Sequence, residues 1–194
     1  MPGPFNQWKK LVTRRSHARA ANSLYLALVD QARQPGFYLH AGVPDTVDGR
    51  FDMIALHCFL VMNRLKDRGD KAHKISQVLF DEMFNDMDRG LRELGVGDMG
   101  VGKRVRAMAK AYMGRVGAYD AGLSDPDTLP QALHRNLYRG EDVAAADLAT
   151  MAAYMIREQA ALAAQDDADV LAGRIAFGDA PDAADESVDE EAAS

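Results

Sequence analysis

The 194 residues include 23 Lys and Arg against 29 Asp and Glu, a formal charge of −6, with 47% hydrophobic residues and one cysteine. That composition fits one domain with a core of its own, and a lone Cys58 excludes an internal disulfide and any multi-cysteine metal site. The longest apolar run, 54–62, is interrupted by His57 and falls short of the ~18 residues a membrane-crossing helix needs; no apolar signal-peptide core opens the chain, so secretion is not expected.

The first 15 residues form a basic amphipathic segment. Phe5, Trp8 and Val12 recur at helical spacing between Lys9, Lys10, Arg14 and Arg15. Aromatic and basic residues in that order suit a helix lying on an anionic surface, membrane or ribosome. The same pattern suits a first helix that packs its Trp on the domain and solvates its charges. The chain reads as cytoplasmic, with a segment able to touch the inner membrane of a bacterium, or the matrix side of the membrane in a mitochondrion.

From Ser16 to about Gln34, Leu24, Leu28 and Ala32 recur every four residues and predict a helix, stopped by Pro35 and Gly36. A polar loop follows to Gly49, and Asp48 is a candidate N-cap for a helix beginning near Arg50. In that helix Phe51, Ile54, Cys58, Val61 and Leu65 form one stripe, widened by Met53, Leu56, Phe59, Leu60 and Met62. A helix apolar on nearly every side is a central core helix. A third long helix is expected over 72–94, with Ile75, Leu79, Met83, Met87, Leu91 and Leu94 inward, and a fourth over 101–120. The fourth buries Val101, Val105, Met108, Tyr112, Val116 and Tyr119, with Lys103, Arg106 and Lys110 as a basic stripe opposite. Leu129, Leu133 and Leu137 mark a short helix, and a last helix spans 143–164. No segment alternates with period two. The expected fold is all-α, a single multi-helix domain of about six to seven helices over 16–175, with an acidic disordered tail over 176–194.

Charge is divided along the chain. Residues 1–120 carry 19 basic and 13 acidic side chains, or +6; residues 121–194 carry 4 and 16, or −12. A basic front of Lys9, Lys10, Arg14, Arg15, Lys103, Arg106 and Lys110 suits an anionic partner such as RNA or lipid, or serves solubility alone.

Motifs for chemistry are weak. Gly95-x-Gly97-x-x-Gly100 and Gly97-x-x-x-x-Gly102-Lys103 imitate nucleotide-binding glycine loops. Both need a preceding strand, and the second needs Ser or Thr where Arg104 stands. A tight helix–helix turn is the better account. The five histidines have no metal-ligand spacing, and a lone His57 on an apolar helix is a core residue before it is a haem ligand. No Ser–His–Asp or Cys–His pattern is present. No catalysis and no cofactor are expected.

Binding residues are better candidates. The loop 42–50 carries Pro44, Asp45, Asp48 and Arg50, which either fix a turn and cap the next helix or, with exposed neighbours Phe37 and Tyr38, form a recognition surface. Arg115 falls near the apolar stripe of the fourth helix, so it needs a carboxylate among Asp120, Asp52, Asp45 and Asp48. It either locks the loop onto the bundle or offers a polar contact to a client. Six of the ten methionines, Met53, Met62, Met83, Met87, Met108 and Met113, lie in the three middle helices, as core filling or as an adaptable apolar groove.

The stretches GVPDTVDGRFDMIALHCFLVMNRL at 42–65, FDEMFNDMDRGLRELGVGD at 80–98 and AYMGRVGAYDAGL at 111–123 are, in this order, similar to the ubiquinol–cytochrome c chaperone family, over roughly residues 22–160. The resemblance implies an all-α chaperone that binds newly made cytochrome b, near the ribosome exit tunnel or the membrane, for assembly of the cytochrome bc1 complex. Mitochondrial members work with a small partner protein; no segment here identifies a second assembly factor. The composition and short N-terminal segment suggest a bacterial member. The rival readings are an RNA-, ribosome- or membrane-surface docking module and a helical haem-handling protein.

Overall fold

The apolar stripes of the sequence have to meet one another, and they do so around one central helix. The structure, a computed structural model, describes residues 4–182, with side chains from residue 14 onward. The described residues contain α1 (Pro4–Ala32), α2 (Gly36–His40), α3 (Val47–Leu65), α4 (Gly69–Glu93), α5 (Asp98–Ser124), the 3₁₀ turn η1 (Pro126–Thr128), α6 (Leu129–Asn136), α7 (Ala145–Ala164) and α8 (Asp167–Leu171), and no strand. Six helices have eight residues or more, as expected for an all-α domain.

Residues 51 to 61 of α3 are buried without a break. Helices α1, α4 and α7 pack around it, and α5 and α6 close the bundle. α1 contributes Ala20, Ala21, Leu24, Leu28 and Ala32; α4 contributes Ala72, Ile75, Leu79 and Met83; α7 contributes Met151, Met155 and Leu162. Each Leu or Met buried this way contributes roughly 1.5–3 kcal/mol. Leu94, expected inward, is 61% exposed instead, because α4 ends at Glu93 and Gly95 turns the chain at φ +80°. The glycine-rich stretch is thus a helix–helix turn.

Four further features depart from the sequence reading. Residues 1–15 are not a separate segment, since α1 runs unbroken from Pro4 through the expected boundary; the side chains of Trp8, Lys9 and Lys10 lie outside the described residues. The cap of α3 is Thr46, not Asp48: its Oγ1 accepts the Gly49 N–H at 3.0 Å, so the helix starts three residues earlier. The five-residue helix α2 lies inside the expected loop, and α8 stands where the sequence marks no element. Finally, residues 176–182, assigned from composition to an acidic disordered tail, form an extended strap across the bundle, while 183–194 lie outside the described residues.

Strong side-chain contacts hold the strap. Gln165 donates to Ala176 O at 2.7 Å and accepts from Ala176 N–H at 3.0 Å. Gly178 N–H donates to the buried Glu158 at 2.9 Å, and Gln31 donates to Gly178 O at 2.8 Å. The Phe177 ring stands edge-on to His57 with centroids 5.4 Å apart.

Candidate functional site

The loop between α1 and α3 is built from short-range contacts. Pro35 allows one more turn, α2, whose Phe37 is fully buried against His57 and Tyr154 at 5.4 and 4.9 Å between centroids. The expected exposure of Phe37 is therefore corrected: it anchors the loop from below and cannot face a client. Tyr38, one residue on, is half-buried, and its hydroxyl donates to Ala32 O at 2.8 Å. Leu39 is 71% exposed.

Arg50, in the first turns of α3, forks back onto Asp45 at 2.6 and 3.2 Å and lies over the Tyr38 ring at 5.9 Å. The guanidinium holds the Asp45 carboxyl below the usual carboxylate range. Tyr38, Asp45 and Arg50, all named from sequence, therefore meet, and with Arg33, Pro35 and Leu39 they line an open groove of about 280 Å³. Pro44 supplies the floor of the turn. Its carbonyl packs so closely on Gly49 that an added Cβ would lie 2.0 Å from it. Val47 adds a second large apolar surface at 61% exposure. Leu39 escapes the sequence reading because α2 carries no period, and Arg33 and Val47 because they sit at the ends of α1 and α3, beside the loop.

The remaining predicted residues lie elsewhere. Asp48 points to Arg139, accepting from Nη1 at 3.0 Å. Arg115 is buried, and its partner is Asp52, whose Oδ1 lies 2.7 Å from Nη2. That contact is an ion pair off the line of the N–H bonds, and Arg115 Nη1 has no hydrogen-bond partner among the described residues. Arg115 also lies 5.6 Å from the centroid of the Phe51 ring. The second oxygen of Asp52 accepts from Arg139 Nε at 2.6 Å. Arg139 adopts φ +58°, a left-handed conformation costly for a residue with a Cβ. One buried carboxylate thus ties α5 and the α6–α7 connection to α3 directly under the loop. Burial raises the Asp52 pKa, against the pull of Arg139 and Arg115.

His57 is a satisfied core residue. Nδ1 lies 2.9 Å from Met53 O and Nε2 lies 2.7 Å from Tyr154 Oη, so Nδ1–H donates to the carbonyl and Nε2 accepts the phenol. Burial lowers its pKa to about 4. Burial pushes the Cys58 thiol up to about 12, which makes it unreactive. Among the described residues no cluster of His, Cys, Asp or Glu could hold a metal.

The basic side chains named from sequence do not form one front. Arg14, Arg15, Lys103, Arg106 and Lys110 are all exposed. His17 is near enough to Lys74 and Lys71, in the first turns of α4, for them to add to the lowering of its pKa by burial. Tyr112, just after the 103–110 stripe, packs on Phe80 and Phe84, and Arg92 pairs with Asp98. The two basic groups thus lie toward opposite ends of α4. No helix of the described residues is long and apolar enough to cross a membrane.

Comparison with known proteins gives a consistent result. A family model described as ubiquinol-cytochrome C chaperone matches residues 39–177. Ubiquinol-cytochrome-c reductase complex assembly factor 1 of Xenopus laevis is 25% identical over 137 residues, 70% of this chain and 65% of that protein. The Homo sapiens protein of that name is 25% identical over 138 residues, 71% of this chain and 44% of its own length. The matches thus span less than two thirds of these relatives. The crystal structure of a Cbp3 homolog from Brucella abortus superposes with a TM-score of 0.77 at 36% identity, covering 88% of this chain and 96% of that one. With its family model matched over most of its length and its fold shared with that homolog, the chain belongs to the ubiquinol-cytochrome C chaperone family.

Proposed function

We propose that this protein is an assembly chaperone of the cytochrome bc1 complex that binds newly synthesised cytochrome b at the α2–α3 groove and releases it without catalysis. The observation that carries the reading is the juxtaposition of exposed Leu39 and Val47 with the paired Arg50 and Asp45 on a loop anchored by Phe37. A groove of about 280 Å³, open to solvent, lies at the lower limit for small-molecule sites and has room for one or two side chains of a client helix. The loop is preorganised by the ion pairs beneath it, which lowers the ordering cost of binding. The relatives named as assembly factors of the same complex support the client class.

The groove is tested by placing a photocrosslinking amino acid at Leu39 in the native cell and identifying the adducts by mass spectrometry. Cytochrome b among the adducts is the expected result; adducts to ribosomal proteins alone, or to no bc1 subunit, would overturn it. A second surface supports a ribosome near the exit tunnel as a further partner. Lys103, Arg104, Arg106 and Lys110 are exposed along α5 and have no ion-pair partner among the described residues, which suits phosphate contacts.

A further inference from the structure

Many arginines of this protein are paired with acids of their own chain. Arg50, Arg64, Arg68, Arg89, Arg92, Arg115, Arg139, Arg157 and Arg174 all have carboxylate partners. Arg14, Arg15, Lys71 and Lys74 have none among the described residues and are exposed. Two helices bring them together. α1 packs along α4, and Tyr25 donates to Asp86 at 2.8 Å, eight residues after His17 meets the first turns of α4. The helices therefore run in the same direction, and the helical residues 4–13 precede the meeting point. On the neighbouring face the acids of the α8 region are already engaged: Asp167 by Arg64 and Arg68, Asp169 by Arg174, and Asp166 as the cap of α8.

We propose that Arg14 and Arg15 of α1 and the first two turns of α4 form a docking face for an anionic phospholipid bilayer. Lys71 and Lys74 extend the cationic surface that Arg14 and Arg15 begin, and neither lysine stands out in the sequence. The sequence preceding Arg14 contains Phe5 and Trp8, residue types that favour a membrane–water boundary, with side chains outside the described residues. The α5 stripe has exposed Met99 and Met113 but its aromatic residues, Tyr112 and Tyr119, are buried. That stripe lies roughly 20 Å away along α4 at 1.5 Å per residue. This is more than a Debye length of about 8–10 Å, so the two surfaces act independently and can be tested separately.

The test is cosedimentation of the full chain with vesicles of phosphatidylcholine alone, and of phosphatidylcholine with phosphatidylglycerol, at low and high salt. Binding is expected only to the anionic vesicles and only at low salt. Lys71→Glu with Lys74→Glu should weaken it at least tenfold, since each basic residue near an anionic surface is worth about fivefold. Lys103→Glu with Arg106→Glu should leave it unchanged, and melting curves verify that both variants fold. Equal binding to neutral vesicles, loss on changing α5 but not α4, or no vesicle binding with an RNA affinity that Lys71→Glu and Lys74→Glu reduce would each overturn the proposal. Failure of cytochrome b crosslinking at Leu39 leaves this test unaffected, because the two use separate surfaces.

Discussion

Burial holds His57 uncharged at neutral pH. Its folded pKa near 4 lies below the ordinary 6.5, so as pH falls the unfolded chain takes up this proton first. Its contribution to stability is full above about pH 6.5 and is lost between there and about pH 4, at up to about 1.4 kcal/mol per pH unit. Urea unfolding at pH 7 and pH 5 should show the wild type losing about 2 kcal/mol more than a His57→Gln variant over that interval; equal losses would refute the assignment. Asp52 makes a different kind of claim. Removing it by Asp52→Ala strands Arg115 in the core, where an unpaired charge costs about 3–5 kcal/mol. Arg139, with a side chain 42% exposed, can turn to water instead. The double variant Asp52→Leu, Arg115→Met should therefore be more stable than Asp52→Ala alone, because no charge is left buried. Chemical denaturation of both variants decides this.

Elements were legible where a long stripe repeated. The apolar girth of α3 and the four-residue recurrence in α1 placed both helices, and Leu129, Leu133 and Leu137 marked α6. Short elements escaped because five residues make little more than one turn and carry no period; α2 and α8 are fixed by Pro35, by the Phe37 anchor and by the Asp166 cap. By residue type Asp48 is a better cap than Thr46, and only the three-dimensional pairing with Arg139 takes Asp48 elsewhere. The buried Arg115 was legible from its position on the stripe. Its partner Asp52 stood among four candidate carboxylates, and only the fold selects it, since Asp52 lies on another helix. The strap was hidden by composition, as Ala, Gly and Asp dominate it and its grip comes from Gln31, Glu158 and Gln165 on other elements. Gly36 offers a way to loosen it alone: an added Cβ would lie 2.0 Å from Pro181 O. Alanine is favoured over glycine in a helix by roughly 0.5–1 kcal/mol, so Gly36→Ala should not harm α2 itself. Hydrogen exchange at the Ala176 and Gly178 amides should nevertheless accelerate, while α3 amides keep their protection. Unchanged exchange at those two amides would mean that the strap is not seated on Gly36.

At the scale of the whole molecule, the groove and the exposed cations of α5 are carried by different helices. The α2–α3 groove presents an apolar rim with its ion pair already closed. Lys103, Arg104, Arg106 and Lys110 of α5 have no ion-pair partner among the described residues and stand along one exposed stretch of the helix, away from the groove's own charges. An exposed row of that kind gains little from the fold and serves best where phosphates are dense. If α5 docks on ribosomal RNA, each basic side chain lost removes about one phosphate contact, and the dependence of log affinity on log salt flattens by about 0.7–0.9 per contact. Lys103→Glu with Arg106→Glu should therefore weaken copelleting with ribosomes and reduce the salt slope by close to two contacts, with the melting temperature unchanged because neither residue has an ion-pair partner among the described residues to lose. A variant that pellets with ribosomes as the wild type does, at every salt concentration, would leave the stripe as solvated surface.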